Sequence, residues 1–225
     1  CKAKIHWYDN LPIFSFLWLG GKCRACHTPI SIFHPIVEGL MGSLFVWWYF
    51  IGALFFRLSE HPFTAIQPAF WLLVGILLLV ICVADILYLI VPDMAVVALT
   101  ILVVGYRVVL ALGGQMQWRD VYQAGFATVG LVSFFLFLYL ITGRKGFGFG
   151  DVKLAIPLGI ILGWPKIIVG VFAAFIFGSV IGLILLWQRM RRWNGVVPFA
   201  PFLVLGTIFA LLFGERIWQM YLGLL

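Results

Sequence analysis

Two acidic residues stand in apolar surroundings that should exclude them. Asp151 closes the run GFGFGD at residues 146–151, between GLVSFFLFLYLIT upstream and AIPLGIILGW downstream, neither of which carries a charge. Asp85 lies inside LLVICVADILYLIVPD with apolar neighbours on both sides. An ionised side chain in such a run costs on the order of several kcal/mol unless it is paired, buried in protein or set at an aqueous cavity, so it marks a functional position. Two carboxylates brought together in a low-dielectric site tend to share one proton. One then takes a proton from water while the other gives one to a polarised carbonyl, which is peptide hydrolysis without a metal.

The residues around the two acids have readings of their own. Gly146, Gly148 and Gly150 permit a sharp turn and the close approach of a substrate strand or a second helix. A segment entering the membrane beside a cavity also gives water a route to buried carboxylates. Asp151 reads equally well as the N-cap of a helix following the glycines. Asp93, directly after Pro92, is expected to cap the next helix, and Arg107 is expected to snorkel outward from its own. Cys23 and Cys26 form the CxxC of CRAC, which with the turn that follows reads as half of a zinc ribbon. His27 and His34 lie close by as substitutes, and Cys82, one turn before Asp85, reads as a core residue.

Composition says which elements must hold these groups. Of 225 residues, 64% are hydrophobic and 10% charged, with a mean hydropathy of +1.13. A soluble domain carries roughly 25% charged residues. The apolar runs recur along the whole length, so the expected fold is an all-α polytopic membrane bundle. Spans are expected over residues 36–56, 69–91, 94–112, 121–142, 166–188 and 199–213, the last followed by an amphipathic remnant after Gly214. The piece at 151–164 is long enough only for a thin or tilted helix. Two parts are expected, a cysteine-loop segment over 1–35 and a multi-pass domain over 36–225. The chain opens on Cys1 without a Met, so an N-terminal portion is expected to be missing.

Charge gives the orientation. Lys2, Lys4, Lys22, Arg24, Arg144, Lys145, Arg189, Arg191 and Arg192 fall on one side of the spans, against Arg57, Arg119, Lys166 and Arg216 on the other. The positive-inside rule then puts the N-terminal segment in the cytoplasm. Asp85 comes about two turns, or roughly 10 Å, from the cytoplasmic end of its helix. Asp151 opens the short helix on the same side, so the two acids share a depth. The net charge of +7 follows from that rule and from contact with anionic headgroups, and is no argument for nucleic acid.

With these residues in view, the chain resembles the type IV prepilin peptidases, membrane aspartic proteases of the GxGD class that also includes presenilin-like enzymes. The matching stretches are CKAKIHWYDNLPIFSFLWLGGKCRACHTPIS, HPIVEGLMG, ADILYLIVPD, GFGFGDVKLAIPLG and VPFAPFLVLG, in family order over most of the chain. The resemblance implies a catalytic pair of Asp85, the acid opening DILYLIVPD, and Asp151, the acid of GxGD. Lys153 matches the lysine after GxGD, with a role expected at the membrane surface. Glu38 matches the acid of the PIVE stretch, either as a charge favoured near a helix N-terminus or as a contact for substrate or methyl transfer. Cys1 stands at the second cysteine of the family's first CxxC pair. It would join Cys23 and Cys26 in a tetrathiolate zinc site whose fourth cysteine lies upstream. The resemblance also implies bacterial inner-membrane residence and prepilin or pseudopilin substrates, with a basic leader and a hydrophobic helix. N-methylation of the new N-terminus with S-adenosylmethionine would follow cleavage. No glycine-rich strand–helix fingerprint for a methyl donor is visible in the residues.

Other classes compete with this reading. A proton-coupled transporter would use the same two aspartates as a relay, although the internal repeats usual in such proteins are absent here. A non-catalytic assembly protein would use the glycines for helix packing alone. A presenilin-like protease would cut deeper in the bilayer than the expected position of both acids.

Overall fold

The computed structural model describes residues 3–52, 63–143, 147–187 and 198–223. Cys1, Lys2, Arg57, Arg144, Lys145, Gly146, Arg189, Arg191 and Arg192 lie outside the described residues. Among those described there is no strand, only an isolated bridge between Lys22 and Pro29. Eight α-helices run in the order α1 Phe14–Trp18, α2 Phe33–Trp47, α3 Phe63–Tyr88, α4 Asp93–Leu112, α5 Trp118–Ile141, α6 Phe149–Leu162, α7 Lys166–Trp187 and α8 Ala200–Gly223. Five of them, α3, α4, α5, α7 and α8, are long and apolar enough to cross a membrane. The chain is an all-α, multi-pass membrane protein, as its composition requires.

The ends of the expected spans shift in three places. The first run is a 15-residue helix, α2, passing into a π-turn at Trp48–Gly52, and residues 53–56 of that run lie outside the described residues. The last run does not break at Gly214, because α8 continues to Gly223. A helical glycine costs only about 1 kcal/mol, and Gly214 is buried with the stem of Lys166 against it. The second run ends early: α3 stops at Tyr88, and Leu89 takes φ +56. Asp85 therefore sits in the last turn of its helix instead of two turns from its end.

Two compact units divide the chain, Cys1–Ile76 and Leu77–Leu225. Within the first, the Trp48 indole N–H donates to the Pro68 carbonyl at 2.7 Å. The second is organised around α6. Nine of its 14 residues are buried, Leu154, Ala155 and Pro157 among them, and α4, α5, α7 and α8 pack around it. A helix apolar on all sides belongs in a core. At about 1.5 Å per residue, 14 residues reach roughly 21 Å, short of a hydrocarbon layer of about 30 Å.

Arg107 corrects an expectation. It does not snorkel outward from α4: its Nε–H donates to Ile160 O at 2.6 Å and its Nη2 to Ile161 O at 3.3 Å. These are end carbonyls of α6, which have no amide of their own helix to accept from. A fixed cation beside them satisfies both the hydrogen bonds and the negative end of the helix dipole.

The α7–α8 pair approaches closely through glycine. A Cβ on Gly206 would stand 2.8 Å from Ala174 N and 2.9 Å from its Cβ, and would overlap Gly170 O. We predict that Gly206→Val lowers the unfolding free energy in detergent by about 2 kcal/mol or more, the cost typical of overpacking. Gly182→Ala, where a Cβ meets nothing within 4 Å, should keep it or raise it by up to about 1 kcal/mol. Equal stability of the two variants would contradict the close approach.

Candidate functional site

The site forms where four helix ends meet: the C-terminus of α3 and the N-termini of α4, α6 and α8. At α6 the N-cap is Gly148, with extended backbone at φ −77° and ψ 139°. Asp151 is therefore the third residue of the helix and not its cap, and its N–H donates to Gly148 O at 3.1 Å. Neither Gly148 nor Gly150 takes the left-handed region, so a sharp turn is not what they provide. They provide room. A Cβ on Gly148 would lie 3.1 Å from Asp151 Oδ2, and one on Gly150 would lie 2.7 Å from Val91 Cγ2. The first glycine clears space for the carboxylate, and the second lets α6 come down on the segment linking α3 to α4.

Asp85 is held from the other side. The amide of Ala200, first residue of α8, donates to Asp85 Oδ2 at 3.1 Å. Asp85 is 6% and Asp151 7% exposed, and both line one cavity of about 490 Å³ with Val91, Gly148, Gly150 and Lys153. A buried carboxylate is tolerable only where donors or water reach it, and this cavity has room for water. Two carboxyls on such a cavity can pass a proton between themselves and a water or carbonyl lodged there.

Asp93 and Lys153 border the same cavity. The Lys153 ammonium lies 2.6 Å from Asp93 Oδ1 and 5.1 Å from the Phe149 ring centre. Asp93 is the first residue of α4 and Pro92 is its N-cap, so the expected cap is instead a first-turn acid paired across to α6.

Three supports escaped sequence reasoning: the Ala200 amide, Val91, and a cluster of phenylalanines. Phe147, from the glycine run, packs against Phe135 of α5 at 5.2 Å and against Phe199 at 5.0 Å, and Phe199 against Phe175 of α7 at 5.3 Å. Phe199 directly precedes Ala200, so the cluster ties the approach to Asp151 to the amide that holds Asp85. The signal was present in VPFAPF, where prolines beside a short turn mark a helix start.

Cys23 and Cys26 belong to the first unit. Cys23 N–H donates to Thr28 O at 3.0 Å, His27 N–H returns to Cys23 O at 2.9 Å, and His27 takes φ +56. Bonding to Thr28, through its hydroxyl first and its backbone second, with Cys23 adding, pushes the Cys26 thiol down to about 7. Two thiols on one tight turn, one of them readily ionised, suit half of a tetrahedral thiolate site. Among the described residues no three His, Cys, Asp or Glu side chains stand close enough to hold a metal ion, and Cys1 lies outside them. Glu38 is the sixth residue of α2, beyond its first turn, so the helix-start reading does not hold for it. Its Oε2 accepts the Ile13 N–H at 2.8 Å, where Ile13 takes φ +61 at the start of α1.

Comparison with known proteins gives the family. A family model for the bacterial peptidase A24 N-terminal domain matches residues 1–51, and one for the type IV leader peptidase family matches residues 72–183. The prepilin leader peptidase/N-methyltransferase of Aeromonas hydrophila is 30% identical over 233 residues, covering 99% of this chain and 72% of that protein. The protein of the same name from Burkholderia pseudomallei is 31% identical over 230 residues, covering 99% and 68%. That from Pseudomonas aeruginosa is 31% identical over 227 residues, covering 99% and 72%. No solved structure matches significantly. With relatives this similar over nearly its whole length, the chain belongs to the type IV leader peptidase family.

Proposed function

We propose that the chain is an aspartic endopeptidase that removes the leader of prepilins or pseudopilins, with Asp85 and Asp151 as its catalytic pair. The observation that carries this reading is the shared cavity: two buried carboxylates reach it from different helices at one end of the second unit. The pair shares one proton. The ionised carboxyl takes a proton from a water between them while the protonated one gives its own to the scissile carbonyl oxygen. The water oxygen bonds to the carbonyl carbon in the same step, and the resulting gem-diol collapses as the C–N bond breaks. The leaving amine takes the proton from the carboxyl that deprotonated the water, one diol hydroxyl gives its proton to the other carboxyl, and the pair again holds one proton.

Charge distribution supports a cytoplasmic placement of this end in the bacterial inner membrane. A substrate whose apolar helix lies in the bilayer and whose basic leader lies among headgroups would present its scissile bond at that depth.

In the first unit, Cys23 and Cys26 would hold a structural zinc together with Cys1, fixing the cysteine loop without entering the chemistry of cleavage. Methylation of the new amine by S-adenosylmethionine is the second activity that the relatives' names support. Glu38 is the candidate contact for substrate or methyl transfer in this unit, its reach set by the Ile13 amide it accepts. No set of described side chains points to a binding place for the methyl donor, and no step is assigned through it.

Three outcomes test this reading. Asp85→Asn and Asp151→Asn should each lower cleavage of a leader-bearing substrate, followed by mass spectrometry, by roughly 10³-fold or more; cleavage near the wild-type rate in either would remove that residue from the chemistry. Gly150→Ala should cost at least about tenfold in turnover, since its Cβ strikes Val91, and Val91→Ala in the same chain should restore most of it. Elemental analysis of the full-length protein should find about one zinc per chain, lost in Cys23→Ser and Cys26→Ser. Zinc-free wild type would end the zinc assignment.

A further inference from the structure

We propose that α4 grips α6 at two heights and so sets where Asp151 stands against Asp85, making Arg107, Asp93 and Lys153 positioning residues for cleavage. This rests on the peptidase reading above. Near the start of α6, Lys153 is joined to Asp93 at the first residue of α4. At its far end, Ile160 and Ile161 give their carbonyls to Arg107, 14 residues along α4 from Asp93. Both helices start at the cavity, so the two contacts bracket the length over which α6 could slide along its neighbour.

Close packing at Gly150 and Gly159 fixes part of this height, and the polar contacts with α4 fix the rest. The faces of α6 are built from Leu154, Ala155, Leu158 and Gly159, and lipid supplies little hydrophobic drive for one register over another. Charge-assisted hydrogen bonds are directional and short, and they define a register. One residue of slip moves a helix by about 1.5 Å, and misplacement of a reacting group by about 1 Å can cost roughly 10²-fold in rate. Asp151 lies two residues from Lys153, so the height of Lys153 is the height of the carboxyl. Arg107 touches neither the cavity nor the carboxyls, and acts only through the far end of the helix.

The test uses the full-length protein in proteoliposomes with a leader-bearing substrate, kcat and KM being read separately. Arg107→Ala should lower kcat roughly tenfold with KM within about twofold, and Arg107→Lys, which can still reach one carbonyl, should fall between. Lys153→Asp, which sets two acids together, should lower kcat by at least about tenfold. The exchanged pair Asp93→Lys with Lys153→Asp should recover to within about threefold of wild type. An exchange no better than Lys153→Asp alone, or a folded Arg107→Ala with wild-type kcat, overturns the proposal. Should Arg107→Ala not fold, Arg107→Lys with wild-type kcat overturns it equally. Asp151→Asn runs in parallel: if it cleaves normally, the peptidase reading itself has failed. If it is inert while the α4 variants keep wild-type kcat, the grip alone has failed.

Discussion

A 14-residue helix with nine of its residues buried in a membrane protein has a problem at both ends. It is too short to carry its unpaired amides and carbonyls out to water, and hydrocarbon offers them nothing. Protein must supply the partners, and the second unit is arranged around that requirement. Arg107 reaches the carbonyls of Ile160 and Ile161 at one end of α6. At the other end the helix begins at a cavity where a buried acid, Asp151, can be wetted. A place where water and two carboxylates can meet inside an apolar protein therefore comes with the start of the short helix.

The other half of the site follows the same logic. α3 ends at Tyr88, three residues after Asp85, and α8 begins at Ala200 with its amide directed to the Asp85 carboxylate. Each acid thus sits at a helix terminus, where orphan backbone groups are already present. The glycine run fits as clearance: Gly148 for the Asp151 carboxylate, Gly150 for Val91. The aromatic cluster of Phe135, Phe147, Phe175 and Phe199 then joins the segment leading to Asp151 to the one leading to the Ala200 amide that holds Asp85.

Much of this was legible before any coordinates. Composition forced a multi-pass helical fold, and the isolation of Asp85 and Asp151 among apolar residues singled them out. The intervening distances were not legible, because pairing between residues such as Asp93 and Lys153, 60 positions apart, is set by helix packing and leaves no periodic trace. Arg107 was misread for the same reason. An arginine in an apolar run snorkels only if water is nearer than a set of unpaired carbonyls, and sequence does not say where a neighbouring helix ends. Of the two expectations for the glycines, the sharp turn is not met at Gly148 or Gly150, whereas close approach is: Gly150 meets Val91 of the α3–α4 link and Gly148 the carboxylate of Asp151. The early stop of α3 did leave a signal in Pro92, which biases Val91 away from helix.

The central claim is that Asp85 and Asp151 act together on one reacting carbonyl. The most direct measurement is calorimetric binding of a non-cleavable leader peptide carrying a hydroxyethylene group in place of the scissile amide, whose hydroxyl mimics the tetrahedral intermediate. The account predicts that wild type binds it at least about 10²-fold more tightly than the parent peptide. Asp85→Asn and Asp151→Asn should each erase that advantage while leaving affinity for the parent peptide intact. An advantage that survives either substitution would mean that the two carboxyls do not share the reacting centre.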